Sequence, residues 1–263
     1  MGETWHHGLV ARWWAEFEED GPEVDYIRRF VEDGQPALDV ACGTGRLLVP
    51  YLRAGLDVDG CDVSADMVTL CRERAEREGL TPTLWVQPMH ELDPPRSYRT
   101  IFVCGGFGLG SSREEDAEAL ARFLRHLEPG GTLVLDNEVP YAKERLWSRW
   151  PKGKRDDLPT PWGGPAERRR GRDGAEYGLQ SRLVALDPLE QRATMELRAS
   201  RWRDGVLDAE EEHRLTMNLY FEHELELMLE RAGFVDVLVH GDHAPVEPTA
   251  DSDFVVFVAR RPL

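Results

Sequence analysis

Residues 36–48 read PALDVACGTGRLL, and no other stretch of this chain restricts its fold as much. Ala37-Leu38-Asp39-Val40-Ala41 is short and largely apolar, as a buried strand must be. Gly43-Thr44-Gly45 follows at once, and then Leu47, Leu48, Tyr51 and Leu52, spaced as one face of a helix. Strand, glycine turn and helix in that order open a nucleotide-binding α/β domain, where a ligand rests on bare backbone near a helix N-terminus. Glycine serves there because a Cβ would obstruct the ligand and because the turn calls for positive φ.

The dinucleotide fingerprint G-x-G-x-x-G is not complete, since its third glycine, counted from Gly43, is Leu48. A different pattern is present. Asp39 precedes the glycines inside the first strand, and a second strand, Leu56 to Cys61, runs into Asp62-Val63-Ser64-Ala65-Asp66-Met67. LDVACGTGRL followed by GCDVSADM resembles the class I S-adenosylmethionine-dependent methyltransferases, over roughly residues 10–137 and again over 219–260. The resemblance implies a Rossmann-like, seven-stranded, mostly parallel sheet with helices on both faces, and S-adenosyl-L-methionine as cofactor.

It also implies a set of cofactor residues. Asp39, Ala41, Gly43 and Gly45 fall at the first strand and its turn, with the methionyl part of the cofactor against the glycines. Asp62 ends the second strand, where an ionised carboxylate can accept both ribose hydroxyls; Ser64, not Asp62, fits as the N-cap of the next helix. Val63 and Met67 would lie beside the adenine, although Met67 reads equally well as a core methionine. Met89 and His90 follow the third strand, after Gln87-Pro88, where the family usually has an acid and this chain has none. Their backbone would do that work, with His90 as a surface histidine the alternative. Cys104 ends the fourth strand beside the transferred methyl. Cys104-Gly105-Gly106-Phe107 replaces the Asn- or Asp-Pro-Pro-aromatic motif of amino-methyltransferases acting on DNA or protein glutamine, which disfavours those substrates. Trp14, grouped with Trp13 and Phe17 in a helical segment over residues 3–33, would close over the cofactor as a lid, or these rings simply pack on the sheet.

The formal charge is −17 over 263 residues, a field that repels polyphosphate and argues against nucleic acid as a partner. The basic run Arg168-Arg169-Arg170-Gly171-Arg172 sits among glycine and proline and reads as a solvated loop. Cys42, Cys61, Cys71 and Cys104 have no metal-ligand spacing, so no metal is expected, and they suit a reducing compartment. No apolar run approaches the length of a membrane span, and residues 1–7 lack a signal-peptide core; a cytoplasmic protein without membrane contact is the expectation.

Along the chain, further strands are predicted at 82–86, 99–104, 132–136, 234–239 and 253–260. Ser64 should cap one helix, Ser112 to Glu115 should form a capping box, and Gly233 should end the helix Glu222 to Ala232. The whole chain reads as one domain with an insertion over 138–217, whose alternating segments around Asp187-Pro188 and Asp204-Gly205 predict a small antiparallel meander. Leu179, Leu183, Met195 and Leu197 give it an apolar side, expected to cover the cleft as acceptor wall; self-association into a homodimer is the other use of such a surface. The resemblance implies a small-molecule acceptor, amine before hydroxyl. In-line methyl displacement gains roughly 7–11 kcal/mol from positioning, whereas a general base adds ~10²–10⁴-fold, so an obvious base is not required. Glu138, past the fifth strand, is the best placed candidate, followed by His213 and Tyr220, each more readily structural. An NAD-dependent oxidoreductase and a non-catalytic cofactor-binding protein are the rival readings.

Overall fold

The computed structural model describes Thr4 and residues 6–263; Glu3, the expected start of the N-terminal helices, lies outside the described residues. Two helices come first, α1 (Gly8–Phe17) and α2 (Pro22–Asp33). Strands and helices then alternate: β1 (Ala37–Val40), α3 (Leu48–Arg53), β2 (Val58–Asp62), α4 (Ala65–Arg77), β3 (Leu84–Val86), β4 (Tyr98–Val103), α5 (Arg113–His126) and β5 (Leu127–Glu138). After α6 (Glu144–Trp147) come β6 (Arg169–Arg170), β7 (Glu176–Asp187), β8 (Arg192–Arg203) and β9 (Val206–Asn218). The chain closes with α7 (Glu222–Ala232), β10 (Val235–Gly241) and β11 (Phe254–Arg260).

The expected seven-stranded sheet is present, in the order β10-β11-β5-β4-β1-β2-β3. β1 pairs in parallel with both β2 and β4, so Val40, Cys61 and Val103 lie side by side where these strands end. Only β11 breaks the parallel run, antiparallel to both β5 and β10. Side chains alternate across the pleat, which builds a core on each face. Leu38, Ile101 and Leu133 meet Leu120 and Phe123 of α5 and Leu225 of α7. Ala37, Phe102 and Val134 meet Ile27 of α2, Tyr51 of α3 and Cys71 of α4. The helix ends follow their local chemistry: Ser64 Oγ accepts Met67 N–H, Ser112 and Glu115 form the reciprocal capping box, and Gly233 takes a left-handed φ of 104°.

The insertion is a separate sheet, β6-β7-β8-β9, all antiparallel. Asp204 and Gly205 make its two-residue turn with φ of 50° and 78°, the doubly positive geometry that matches hairpin twist. Its four apolar positions, expected over the cleft, are covered by other partners. Leu179 and Leu197 pack with Leu9, Val10 and Phe17 of α1; Leu183 and Met195 pack with Leu146, Trp150, Leu158 and Leu219. Helix α1 therefore stands between this sheet and the parallel one, its other side, Ala11 and Trp14, resting on Met67 and Leu70 of α4. The two sheets are joined at a second place. The loop after β4 bonds to the end of β9 through Gly110 N to Thr216 O, Asn218 N to Gly108 O, and the Leu109–Met217 bridge.

Candidate functional site

A cleft of about 360 Å³ opens where β1, β2 and β4 end, as expected for ligand sites in parallel α/β sheets. The chain leaves β1 through Ala41, whose φ of 61° is unusual for a residue with a Cβ, and through Gly43 at 52°. A Cβ on Gly43 would meet no atom within 4 Å, so its bare face is toward open space in the cleft. Gly106 is needed for a different reason: a Cβ there would strike that of Ala41 at 2.5 Å. This close approach brings the loop after β4 against the end of β1.

Asp62 is held from below. Its Oδ2 accepts Gly43 N–H at 2.9 Å and its Oδ1 accepts Ser64 N–H at 2.8 Å, which fixes the carboxylate and leaves further lone pairs for a ligand. Burial raises its pKa, and the backbone donors oppose that rise. One strand over, Gln87 Oε1 accepts both Trp85 Nε1–H at 3.1 Å and Asp93 N–H at 3.0 Å. Its amide NH₂ is the half left for the cleft, which Gln87 lines.

Helix α1 closes the cleft from above. Trp14 lines it, and the indole N–H is buried without a hydrogen-bond partner among the described residues. The segment leading into α1 is tied down at several points. Ser64 Oγ donates to the His6 carbonyl, Gly8 N–H donates to Asp66 Oδ2 at 2.7 Å, and Leu9 N–H to Glu211 Oε2 at 2.8 Å. Burial, with His7 beside it, lowers the pKa of His6 to about 4, so its ring is neutral in the cleft at neutral pH. Arg46 spans the lower end of the lid, bonded to Glu18 at 3.1 Å and paired with Glu23.

Beneath the cleft lie two buried acids. Asp39 Oδ2 has no partner among the described residues, and burial, then Cys71, Asp62 and Glu18, raises its pKa well above the ordinary range. Asp136 of β5 is satisfied: it accepts Gly105 N–H at 2.6 Å, the Cys104 thiol at 3.2 Å and His243 Nε2 at 2.9 Å. It thus pins the Cys104-Gly105 turn. Burial, then Asp136, raises the Cys104 pKa well above normal, so the thiol facing the cleft is protonated.

Eight residues read from the sequence line this one cleft: Trp14, Ala41, Gly43, Asp62, Val63, Met67, Met89 and Cys104. Four do not. Asp39 is inside β1 and 2% exposed. Gly45 faces protein, where a Cβ would meet Cys71 Sγ at 2.6 Å; it is a packing glycine. His90 borders a smaller neighbouring cavity and lies near the carboxylates of Glu91 and Glu115. Glu138 is tied to Lys143 at 2.7 Å, away from the cleft lining. The helix N-terminus expected at the ligand is also displaced: α3 has only six residues and starts at Leu48, leaving the glycine turn's backbone as the cradle. Glu18, Arg46, Gln87, Gly105, Gly106 and Leu109 line the cleft without having been singled out as binding residues. Strand-end position marked Gln87 and the glycines; nothing local marked Glu18.

This geometry has counterparts. A family model described as a methyltransferase domain matches residues 37–131. The chain carries a methyltransferase domain. Over 114 residues it is 32% identical to the dTDP-3-amino-3,4,6-trideoxy-alpha-D-glucopyranose N,N-dimethyltransferase of Streptomyces venezuelae, covering 43% of this chain and 46% of that protein. This chain thus spans about half the length of the curated relatives it matches. Among solved structures, an S-adenosylmethionine-dependent methyltransferase from Clostridium acetobutylicum superposes with a TM-score of 0.71 at 17% identity, over 94% of each chain. The sugar N-methyltransferase KedS8 from Streptoalloteichus does so at 0.69 and 20% identity, over 100% of this chain and 94% of its own. The class I methyltransferase fold therefore extends beyond the matched domain, through the insertion and α1. No helix among the described residues is long and apolar enough to cross a membrane.

Proposed function

We propose that this protein transfers a methyl group from S-adenosylmethionine to an amine of a small molecule. The observation that carries this reading is the convergence of the bare Gly43 backbone, the anchored Asp62 carboxylate and the indole of Trp14 on one cleft. The orphaned indole N–H, the unfilled lone pairs of Asp62 and the cradle at Gly43 fit a ligand with a diol and a flat base. Asp62 would take the ribose hydroxyls, Met67 and Met89 the adenine faces, and the Gln87 amide an edge of the ring. Arg46 would meet the methionyl carboxylate, and a cation above Asp39 would favour the ionised form that burial disfavours. When bound, the cofactor supplies an electrophilic methyl on a positively charged sulfur.

The lining itself favours an amine over a hydroxyl. A hydroxyl needs a base during transfer, whereas a neutral amine attacks with its own lone pair and loses a proton afterwards. Among the titratable groups of the cleft, Glu18 is bonded to Arg46, Asp62 holds two backbone donors, His6 is a weak base and Cys104 keeps its proton. The dTDP-amino-sugar relative and the sugar N-methyltransferase structure support the same choice.

A ligand-dependent melting experiment tests the cofactor. S-adenosylhomocysteine at 100 times its dissociation constant should add about 2.7 kcal/mol, and NAD nothing. Absence of a shift with saturating S-adenosylhomocysteine would overturn the reading. A screen of amino sugars against phenols with labelled cofactor then tests the acceptor, label on phenols alone reversing the preference.

A further inference from the structure

We propose that this protein has a second ligand site, for a phosphate-bearing small molecule, on the outer side of the lid helix. The site is a concavity of about 470 Å³ between the C-terminal end of α1, α4 and the loop around β6. Arg74, Arg169, Arg170 and Arg172 border it, and Arg12, Arg74, Arg77 and Arg172 border a small cavity beside it. The basic run of the sequence is therefore not simply a solvated loop. Folding brings to it three arginines from α1 and α4 that lie roughly a hundred residues or more away in the chain.

The local charges are unbalanced. Glu16 is taken by Arg172 at 3.0 Å, Glu19 by Arg169 at 3.2 Å, Glu18 by Arg46, and Glu176 lies 3.9 Å from Arg170. Arg12, Arg74 and Arg77 make no ion pair within 4.0 Å among the described residues. Glu78, whose pKa Arg74 and Arg77 help to lower, is already bonded to Arg53. A positive concavity persists in a chain whose formal charge is −17.

Exposed guanidinium groups bind single charges weakly, because water and salt screen them. Several forks around one concavity change the balance, since a pyrophosphate group offers many oxygens at once and Arg matches phosphate bidentately. A polynucleotide would still meet the acidic field of the surrounding surface, so a small ligand is the better match. The site shares Glu18 with the cofactor cleft, and two of its arginines also bond α1 backbone: Arg172 to Ala15 O at 3.0 Å and Arg169 to Phe17 O at 3.5 Å. Arg74 and Arg170 make no such bonds to α1, which suits them as probes.

The test is a calorimetric titration of the unliganded protein with inorganic pyrophosphate, at fixed ionic strength balanced with chloride. Saturable one-site binding is expected, weakened about tenfold or more by Arg170→Glu and by Arg74→Gln. Arg170 is largely exposed, so its reversal leaves the fold intact, and a melting curve checks this for both variants. Heats no different from chloride, or unchanged affinity in both variants, would overturn the site. A parallel titration with uridine diphosphate finds the source of the phosphate: tighter binding than pyrophosphate supports a nucleotide-borne group, weaker binding a free one. The titration contains no methyl donor, so its outcome is independent of the methyl-transfer reading.

Discussion

The two sheets of this protein take part in building the ligand cleft in opposite ways. The parallel sheet contributes to the cleft through its strand ends and the few residues after them, so chain order and spatial order agree there. In the inserted sheet the apolar side chains are set by local alternation, but what covers Leu179 and Leu197 is α1, more than 150 residues earlier in the chain. The contrast shows that a site built at strand ends can be read from short patterns, while a lid held between two sheets cannot. It also assigns the insertion a task. Rather than roofing the cleft directly, it holds the helix that does.

Removing the insertion should break this arrangement most severely. Replacing residues 140–217 with a short linker exposes Leu9, Val10 and Phe17, each worth roughly 1.5–3 kcal/mol of burial. Helix α1 should then lose its seat, and proteolysis should cut within residues 8–17 of the trimmed protein while the intact one resists. Methyl transfer should be abolished, with S-adenosylhomocysteine binding weakened but still measurable by calorimetry. A trimmed protein that resists cleavage and methylates at the original rate would show that α1 needs no support from the second sheet.

Next in size comes a pair of aspartates that separates the join between the sheets from the cofactor cradle. Asp116 is fully buried and accepts Ser111 Oγ–H at 2.6 Å, Asn218 Nδ2–H at 2.7 Å and Tyr220 O–H at 2.6 Å. It ties the loop after β4 to the end of β9. Asp116→Ala leaves these donors buried without their acceptor, at about 1–3 kcal/mol for each such group, so a loss of several kcal/mol in urea unfolding is expected. Asp62→Ala takes the acceptor from two backbone donors, of which Gly43 N–H is only part-buried at the cleft, and removes a carboxylate whose ionised form burial disfavours. It should therefore cost clearly less stability than Asp116→Ala while weakening S-adenosylhomocysteine binding by about 1.5–3 kcal/mol, the range for hydrogen bonds to charged groups. If the two variants gave the same loss of stability, Asp62 would be a structural carboxylate after all.

How much of this was legible in the sequence follows the same division. Ser64, the Ser112–Glu115 box and Gly233 mark their helix ends because capping is a contact within one turn. Asp62 and Gly43 are identifiable because one ends β2 and the other lies in the turn just after β1, and the β1–β2 pairing sets these neighbours side by side. Gly45 and Asp39 lie off the cleft lining for a related reason: a pattern locates the turn but not which of its residues face inward. The Arg46–Glu18 bond, the His243–Asp136 contact and the arginine concavity join residues far apart in sequence, and no local periodicity reports them.

The smallest expected effect concerns Asp39, the acid beneath the cleft with an oxygen that has no partner among the described residues. Burial, and then the fields of Cys71, Asp62 and Glu18, raise the pKa of Asp39 in the folded protein above its unfolded value of ~3.9. Below that value both states are protonated and the group has no effect on stability. As pH rises above it, the unfolded chain gives up its proton first, so stability falls, and the fall ends once the folded carboxyl ionises as well. Asp39→Asn removes this titration. The variant should therefore match the parent near pH 4 and exceed it increasingly toward neutral pH, read as the difference between paired urea-unfolding curves, which cancels the other carboxylates. In the parent, the cationic methyl donor favours the ionised carboxyl and so should bind more tightly as pH rises toward the folded pKa of Asp39, a pH dependence that Asp39→Asn removes and that neutral-sulfur S-adenosylhomocysteine shows less. A parent and variant with identical pH profiles would mean that Asp39 finds an acceptable partner in the folded protein, and that the cleft floor carries no stored charge for the ligand.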